Sequence, residues 1–257
     1  MSEKVQRYIP GIEGSQGITA LAISPNKKHL AVCEQSSQAI CTVYPLHRFM
    51  ETIREKKSTT SLDVASKKRR ILITNEDSAR KFISVDFCNQ ADKHLVTVSG
   101  GSESRIIVWN FDKQKCIAVG DLYPKPGQSV TQVSFAPNDP NTIVCTGNDL
   151  YRYFRLDNNT LKQQTVSIQK RDKDAHFSNN YTCHKWLNDG RFIICTDHGQ
   201  IMLLEASGEY KNIFISDPRK DPFPIWAVTS YTGLGSPATI SAPQSSAAAA
   251  AAPKTNI

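Results

Sequence analysis

No stretch of this chain approaches 18 consecutive apolar residues, so no segment has the length and composition of a membrane-spanning helix. The first ten residues, Met1 to Pro10, lack the apolar core of a secretory signal. Catalytic signatures are missing as well. There is no phosphate-binding P-loop, no dinucleotide-binding glycine pattern, no nucleophile elbow and no H-E-x-x-H. No two cysteines stand at C-x-x-C spacing, which removes the commonest zinc and redox motifs. Together these absences argue against a membrane protein and against an enzyme of the common motif-bearing classes, and no cofactor or metal is expected.

Seven cysteines are nevertheless present, at positions 33, 41, 88, 116, 145, 183 and 195. Cys33, Cys88, Cys145 and Cys195 lie in or beside apolar runs, where cysteine acts as a small hydrophobe. Buried, reduced thiols in a cytosolic protein are the expectation. Lys and Arg number 31 against 24 Asp and Glu, a net charge of +7. That excess favours acidic partners in general and selects none of them. With 39% hydrophobic residues in 257, the chain has enough apolar side chain for a substantial core.

One layout recurs four times. A short strand ends in a polar or Pro/Asn step, a second apolar strand follows a turn, and a third strand follows a Gly/Ser/Asp turn. The segments are Ile18 to Asn26 with Leu30 to Cys33 and Ala39 to Tyr44; Phe82 to Asn89 with Leu95 to Val98 and Arg105 to Trp109; Val130 to Asn138 with Thr142 to Cys145 and Tyr151 to Phe154; and Tyr181 to Asn188 with Phe192 to Cys195 and Gln200 to Leu204. Ile23, Phe87, Phe135 and Trp186 are equivalent anchors, spaced 64, 48 and 51 residues apart. A four-stranded propeller blade needs ~40–45 residues. A β-sandwich also has short strands, yet has no reason to repeat a three-strand unit. The fold class is therefore all-β, a WD-type β-propeller of about four blades plus the first strand of a fifth, in an incomplete ring. Blades fall near 17–75, 82–120, 130–168 and 181–216. Candidate fourth strands are Ile71 to Ile73, Cys116 to Val119 and Phe214–Ile215. Trp109 occupies the place of the tryptophan that names the repeat; Tyr44, Phe154 and Leu204 are its counterparts, all read as core.

Two regions break the pattern. An insertion at 47–70 carries a candidate short helix, Arg48 to Lys57, and the basic run Lys67, Lys68, Arg69, Arg70. That run is the one candidate contact for an acidic partner; no aromatic residue interleaves with it, so nucleic acid is disfavoured. The tail, 233–257, holds a single charge, Lys254, and the run Ala247 to Ala252. Its composition predicts disorder. Two pairs look reactive on paper. Cys183 and His184 are consecutive strand residues and point to opposite faces. Asp197–His198 reads as a turn with no third catalytic group.

Ile9-Pro10-Gly11, Ser15-Gln16-Gly17 and Ile23-Ser24-Pro25-Asn26-Lys27-Lys28 resemble the start of a ciliary WD-repeat family, cilia- and flagella-associated protein fifty-seven. Gln132-Val133-Ser134-Phe135, Cys145-Thr146-Gly147-Asn148, Thr160-Leu161-Lys162-Gln163 and Thr196-Asp197 with Gly199 extend the resemblance, and Trp226 to Tyr231 resembles the opening strand of that family's next blade. It covers about Gln6 to Thr232. The chain lacks the family's strands upstream of Ile9 and its long coiled coil. The resemblance implies a non-catalytic scaffold of the motile cilium, in cytoplasm and axonemal cytoskeleton, acting in inner dynein arm assembly and anchoring. Implied partners are axonemal scaffolds, inner dynein arm components and tubulin, with no small-molecule substrate and no membrane. A generic cytosolic WD-repeat adaptor is the competing reading. Four blades and one opening strand should form an open arc whose end faces favour association.

Overall fold

A computed structural model describes residues 11–46, 69–73, 79–101, 103–166, 168, 178–215 and 223–229. The candidate helix, Lys67, Lys68 and the tail lie outside the described residues. Among the described residues, sixteen strands form four sheets. The first holds β1 (Gly17–Ile23), β2 (His29–Gln35), β3 (Ile40–Pro45) and β4 (Arg70–Ile73). The second holds β5 (Phe82–Phe87), β6 (His94–Ser99), β7 (Arg105–Asn110) and β8 (Lys115–Asp121). The third holds β9 (Ser129–Ala136), β10 (Asp139–Asn148), β11 (Leu150–Asp157) and β12 (Thr160–Gln164). The fourth holds β13 (Tyr181–Trp186), β14 (Phe192–Thr196), β15 (Ile201–Leu204) and β16 (Tyr210–Ile215). Each sheet is a four-stranded meander in chain order, with every pairing antiparallel. The four expected blades are present, and so are the outer strands placed at Ile71, Cys116 and Phe214. The third blade's outer strand, β12, was not anticipated, because Leu161 is the sole large apolar residue in Thr160–Gln164.

Local chemistry explains the turns. Asn148 and Asp149 join β10 to β11 as a two-residue hairpin, with Asp149 at φ 49°. Before them, Gly147 lies so close to its neighbour that a β-carbon there would stand 1.8 Å from the Ser129 carbonyl oxygen. The Asp197–His198–Gly199 turn has Gly199 at φ 67°.

The innermost strands β1, β5, β9 and β13 stand side by side, and blade packs on blade in sequence order. Three apolar cores fill the three junctions. The first joins Ala31, Cys33 and Val43 to Phe82, Phe87 and Trp109. The second joins Val96, Val98 and Val108 to Val133, Phe135 and Ile143. The third joins Val144, Tyr151 and Tyr153 to Trp186, Phe192 and Met202. Trp109 is buried, its indole N–H donating to Thr97 Oγ1 at 2.9 Å, as expected for a core residue. The described cysteines are free thiols, six of the seven buried. β13 does not pack back onto β1, so the described blades form an open arc.

Each inner strand has a bulge at its second equivalent position, at Thr19, Ile83, Thr131 and Thr182. A bulge inserts one unpaired residue and flips the alternation after it. Positions one, four and six of each inner strand therefore share a face. In blades two to four that face is buried against the preceding blade: Phe82, Val85 and Phe87; Val130, Val133 and Phe135; Tyr181, His184 and Trp186.

Candidate interaction surface

The bulged threonines stitch blade to blade. Thr19 Oγ1 lies 3.3 Å from the Cys33 carbonyl in its own blade and 2.6 Å from the Phe82 carbonyl in the next. Thr131 Oγ1 is 3.1 Å from both the Thr146 and the Tyr181 carbonyls. Thr182 Oγ1 reaches the carbonyls of Cys195 and Ile225. The Ile225 carbonyl thus takes the place that the Phe82 and Tyr181 carbonyls hold at the other stitches. The Ile225 N–H donates to the Thr196 carbonyl at 3.2 Å. Residues 223–229 thus lie against the fourth blade through Ile225, but no strand forms there, so the strand expected from Trp226 is not seen among the described residues.

Blade two has Ile83 in place of the threonine and uses other groups. Ser84 Oγ accepts from the Val133 N–H at 3.1 Å, and Asp86 Oδ2 from the Phe135 N–H at 3.0 Å. Crowding by apolar neighbours pushes the Asp86 carboxyl up to about 7, against the opposing effect of the Phe135 N–H. At the third junction Gln132 bonds both the N–H and the carbonyl of His184, at 2.8 and 3.1 Å. The His184 ring sits between two hydroxyls, 2.6 Å from Ser134 Oγ and 2.7 Å from Thr146 Oγ1. Trp186 Nε1 also donates to Ser134 Oγ. Burial drives the imidazole down to about 3, with Lys185 adding to the effect, so the ring is neutral.

His184 therefore belongs to the junction with blade three. Its neighbour Cys183 faces the other way, with Sγ 3.7 Å from the Ile225 carbonyl. A thiol–imidazole pair is ruled out by this geometry. Asp197 receives Ser178 Oγ at 2.5 Å, Asn180 Nδ2 at 2.8 Å and His198 Nδ1 at 2.7 Å. It fastens the chain before β13 to the β14–β15 turn, a structural task. Among the described residues no three His, Cys, Asp or Glu side chains gather to hold a metal ion. A cavity of ≈500 Å³ opens between the inner strands, lined by Leu21, Ser84, Asp86, Gln132 and Lys185 among others.

The basic run divides. Arg70 begins β4 and its guanidinium pairs with Asp112 at 2.5 Å, lying 6.0 Å from the centre of the Phe111 ring. It clasps blade one to blade two. Arg69 lies beside Tyr44, whose hydroxyl is raised first by burial and lowered by that guanidinium.

What remains unmatched is the leading flank of β1. Ile18, Leu21 and Ile23 are 62%, 59% and 61% exposed, at the positions that hold Phe82, Val85 and Phe87 at 0%, 7% and 3%. At the far end Phe223 and Trp226 are 69% and 71% exposed. The repeat alignment carried a signal for the stitching groups, since Ile18-Thr19, Val130-Thr131 and Tyr181-Thr182 all follow one pattern. The exposed flank had no such signal, because its residues are as apolar as their buried counterparts.

Four meandering blades in an open arc, with buried polar side chains spent on junctions, define a WD-type β-propeller segment. A crystal structure of the Myceliophteria thermophila Cps50 (Swd1) β-propeller domain superposes with a TM-score of 0.58 at 10% identity, covering 86% of this chain and 59% of that one. The chain is 30% identical over 214 residues to mouse cilia- and flagella-associated protein 57, across 81% of its own length, and 27% identical over 263 residues to the Tetrahymena thermophila protein 57 A, across 90%. It belongs to the cilia- and flagella-associated protein 57 family, and spans 15% and 20% of the length of those two relatives. No protein-family model matches the chain.

Proposed function

We propose that this chain is a non-catalytic, protein-binding part of a scaffold in the motile cilium, contributing to the assembly and anchoring of inner dynein arms on the axoneme. One observation carries the binding role: the apolar flank of β1, whose equivalents at three other junctions are all covered. Contiguous exposed apolar surface on a folded protein marks an interaction site. The family relationship supports the ciliary setting. Polar groups in the junctions, the buried His184 and the half-buried Asp86 included, are engaged in holding the blades together, which supports a structural role over a catalytic one.

Lys67, Lys68 and Arg69 are proposed to add a long-range contact to an acidic surface such as a tubulin tail. Arg70 is omitted because Asp112 already holds it. Such attraction acts over about 8 Å at physiological salt and fades as salt is added. The test is expression of the tagged chain in ciliated cells depleted of the endogenous protein, followed by detergent extraction of isolated axonemes. Retention on the axoneme, weakened by Leu21→Asp, supports the reading. A diffuse cytoplasmic signal that washes out completely overturns it. Replacing Lys67, Lys68 and Arg69 with Ser should lower retention at low salt only; unchanged retention there would remove the basic contact from the proposal.

A further inference from the structure

The cavity between the inner strands draws its walls from β1, β5, β9 and β13, and its rim from the residues just after those strands, at Asn89, Pro137, Leu187 and Asn188. At ≈500 Å³ it falls within the ~300–1,000 Å³ range of ligand pockets. Asp86 and Ser134 hold the same position, the fifth, in β5 and β9. Each turns an oxygen to the following inner strand: Asp86 Oδ2 accepts from the Phe135 N–H, and Ser134 Oγ accepts from Trp186 Nε1. A junction thus needs an acceptor at this position and not a charge, and at β9 a hydroxyl suffices. At β5 the acceptor is a carboxylate, half-buried, on the wall of the cavity. It accepts from the backbone N–H groups of Phe135 and Phe87, and no cation among the described residues lies within ion-pair distance of it. Taking a carboxylate part-way out of water costs free energy that a paired cation offsets. The rise of its carboxyl to about 7, caused first by burial, fits a charge that lacks its counterpart.

We propose that this cavity is a binding site for a basic side chain of a partner polypeptide, an arginine whose guanidinium pairs with Asp86. A metal ion does not fit, because among the described residues no three His, Cys, Asp or Glu side chains gather to hold one. A guanidinium fits better than an ammonium: it is more weakly hydrated and offers a planar fork of donors to a carboxylate. A carboxylate has about four acceptor positions, so the two backbone N–H groups leave room for that fork. Leu21, Pro137 and Leu187 line the same cavity and supply apolar surface for the arginine stem and its flanking residues. Lys185 also lines it, but it is exposed, makes no ion pair among the described residues and has the smallest of the effects on the Asp86 carboxyl. Its screened charge weakens the attraction without cancelling it. The site goes beyond the β1 flank: it shares Leu21 with that surface but turns on Asp86, so either can fail while the other stands.

The test uses the full chain and a fluorescein-labelled peptide, Gly-Ser-Leu-Arg-Leu-Ser-Gly, beside its twin with citrulline in place of arginine, a neutral group of nearly the same shape. Binding is read by fluorescence anisotropy at physiological salt. The arginine peptide should bind at least about tenfold tighter than the citrulline peptide, the low end for a hydrogen bond to a charged group. Asp86→Asn keeps an acceptor for the Phe135 N–H, and its melting curve is checked first; it should bind the two peptides alike. Lys185→Ala should bind the arginine peptide as tightly as the wild type or tighter. Equal binding of both peptides by the wild type overturns the proposal, and that comparison needs no variant to fold. So does the absence of binding at millimolar peptide. A preference for arginine that survives in Asp86→Asn puts the cation elsewhere and overturns it, as does loss of binding in Lys185→Ala, the result expected if the cavity reads an acidic group. Methylguanidinium that displaces the peptide at equal concentration would overturn the assignment to a polypeptide in favour of a free small cation.

Discussion

The leading flanks of β1 and β9 are built alike and live differently. Both strands bulge at a threonine and both present aliphatic residues at positions one and four, Ile18 and Leu21 in one and Val130 and Val133 in the other. The β9 flank is buried on blade two while the β1 flank faces solvent. Burial here is a property of the neighbour, not of the strand. The pair therefore forms a natural internal control, in which one substitution can be made at equivalent positions with and without a covering blade.

The largest effect should come from charging position four. Val133→Asp places a carboxylate among the buried apolar side chains of the second junction. A buried charge without a partner costs at least about 3 kcal/mol. Leu21→Asp, at the equivalent exposed position, should change stability by less than about 0.5 kcal/mol. Urea unfolding of the two variants measures the contrast. Equal losses would mean that the β1 flank is covered in solution.

A smaller contrast separates the second and third junctions by pH. His184 has a folded value depressed to about 3 from an ordinary 6.5. Its contribution is complete above 6.5 and is lost as pH falls from there toward 3, because the unfolded chain takes up the proton more readily. Asp86 is opposite in sign. Its folded value is raised to about 7 from 3.8, so its contribution is complete below 3.8 and is lost as pH rises through 7. Asp86→Asn keeps an oxygen for the Phe135 N–H and removes the titration. That variant should gain on the order of 1–2 kcal/mol relative to wild type between pH 5 and pH 8, the full shift being discounted for its access to the cavity. Urea unfolding at the two pH values checks it; a parallel response in both proteins would show that Asp86 is solvated.

The strand pattern was readable because each inner strand alternates and each second strand is an unbroken apolar run, patterns that depend on local sequence alone. Anchors such as Phe135 and Trp186 and the core role of Trp109 followed from the same logic. β12 escaped notice because an outer strand covered on one side needs a single apolar residue, and Leu161 supplies it. Asp86 and His184 escaped for a different reason. Each looks like an ordinary polar strand residue, and only the bulge, which shifts the alternation by one, turns His184 toward blade three. In the sequence Arg70 is the last residue of a basic run and looks no different from its neighbours. Its partner Asp112 lies 42 residues away, in the β7–β8 turn of the next blade, a distance no local pattern spans.

The smallest effect concerns the threonine stitches, and it distinguishes the interior of the arc from its tail. Thr131→Val removes a hydroxyl that joins β9 to β13 at a closed junction. The loss should be about 1 kcal/mol, the usual net worth of one hydrogen bond, and it should appear in the global unfolding curve. Thr182→Val removes the equivalent group at the tail, where it bonds the Cys195 carbonyl of its own blade and the Ile225 carbonyl of residues 223–229. Its outward bond reaches only this short segment among the described residues, so the global curve should move less than in Thr131→Val while residues 223–229 detach more often. Cys183 reports that detachment. Its sulfur lies under the Ile225 carbonyl, and the hydrogen bond to Cys195 lowers its thiol from the ordinary value. A lowered thiol is thus uncovered when residues 223–229 lift, and alkylation rate follows thiolate content and access. Thr182→Val should alkylate faster at Cys183 than the wild type, read by peptide mass spectrometry, with Cys145 unchanged because it is buried at the second junction and its thiol is raised by that burial. Should Cys183 react no faster while the global curve shifts by as much as in Thr131→Val, residues 223–229 would belong to the cooperative core of the arc, and its tail would be as firmly built as its interior.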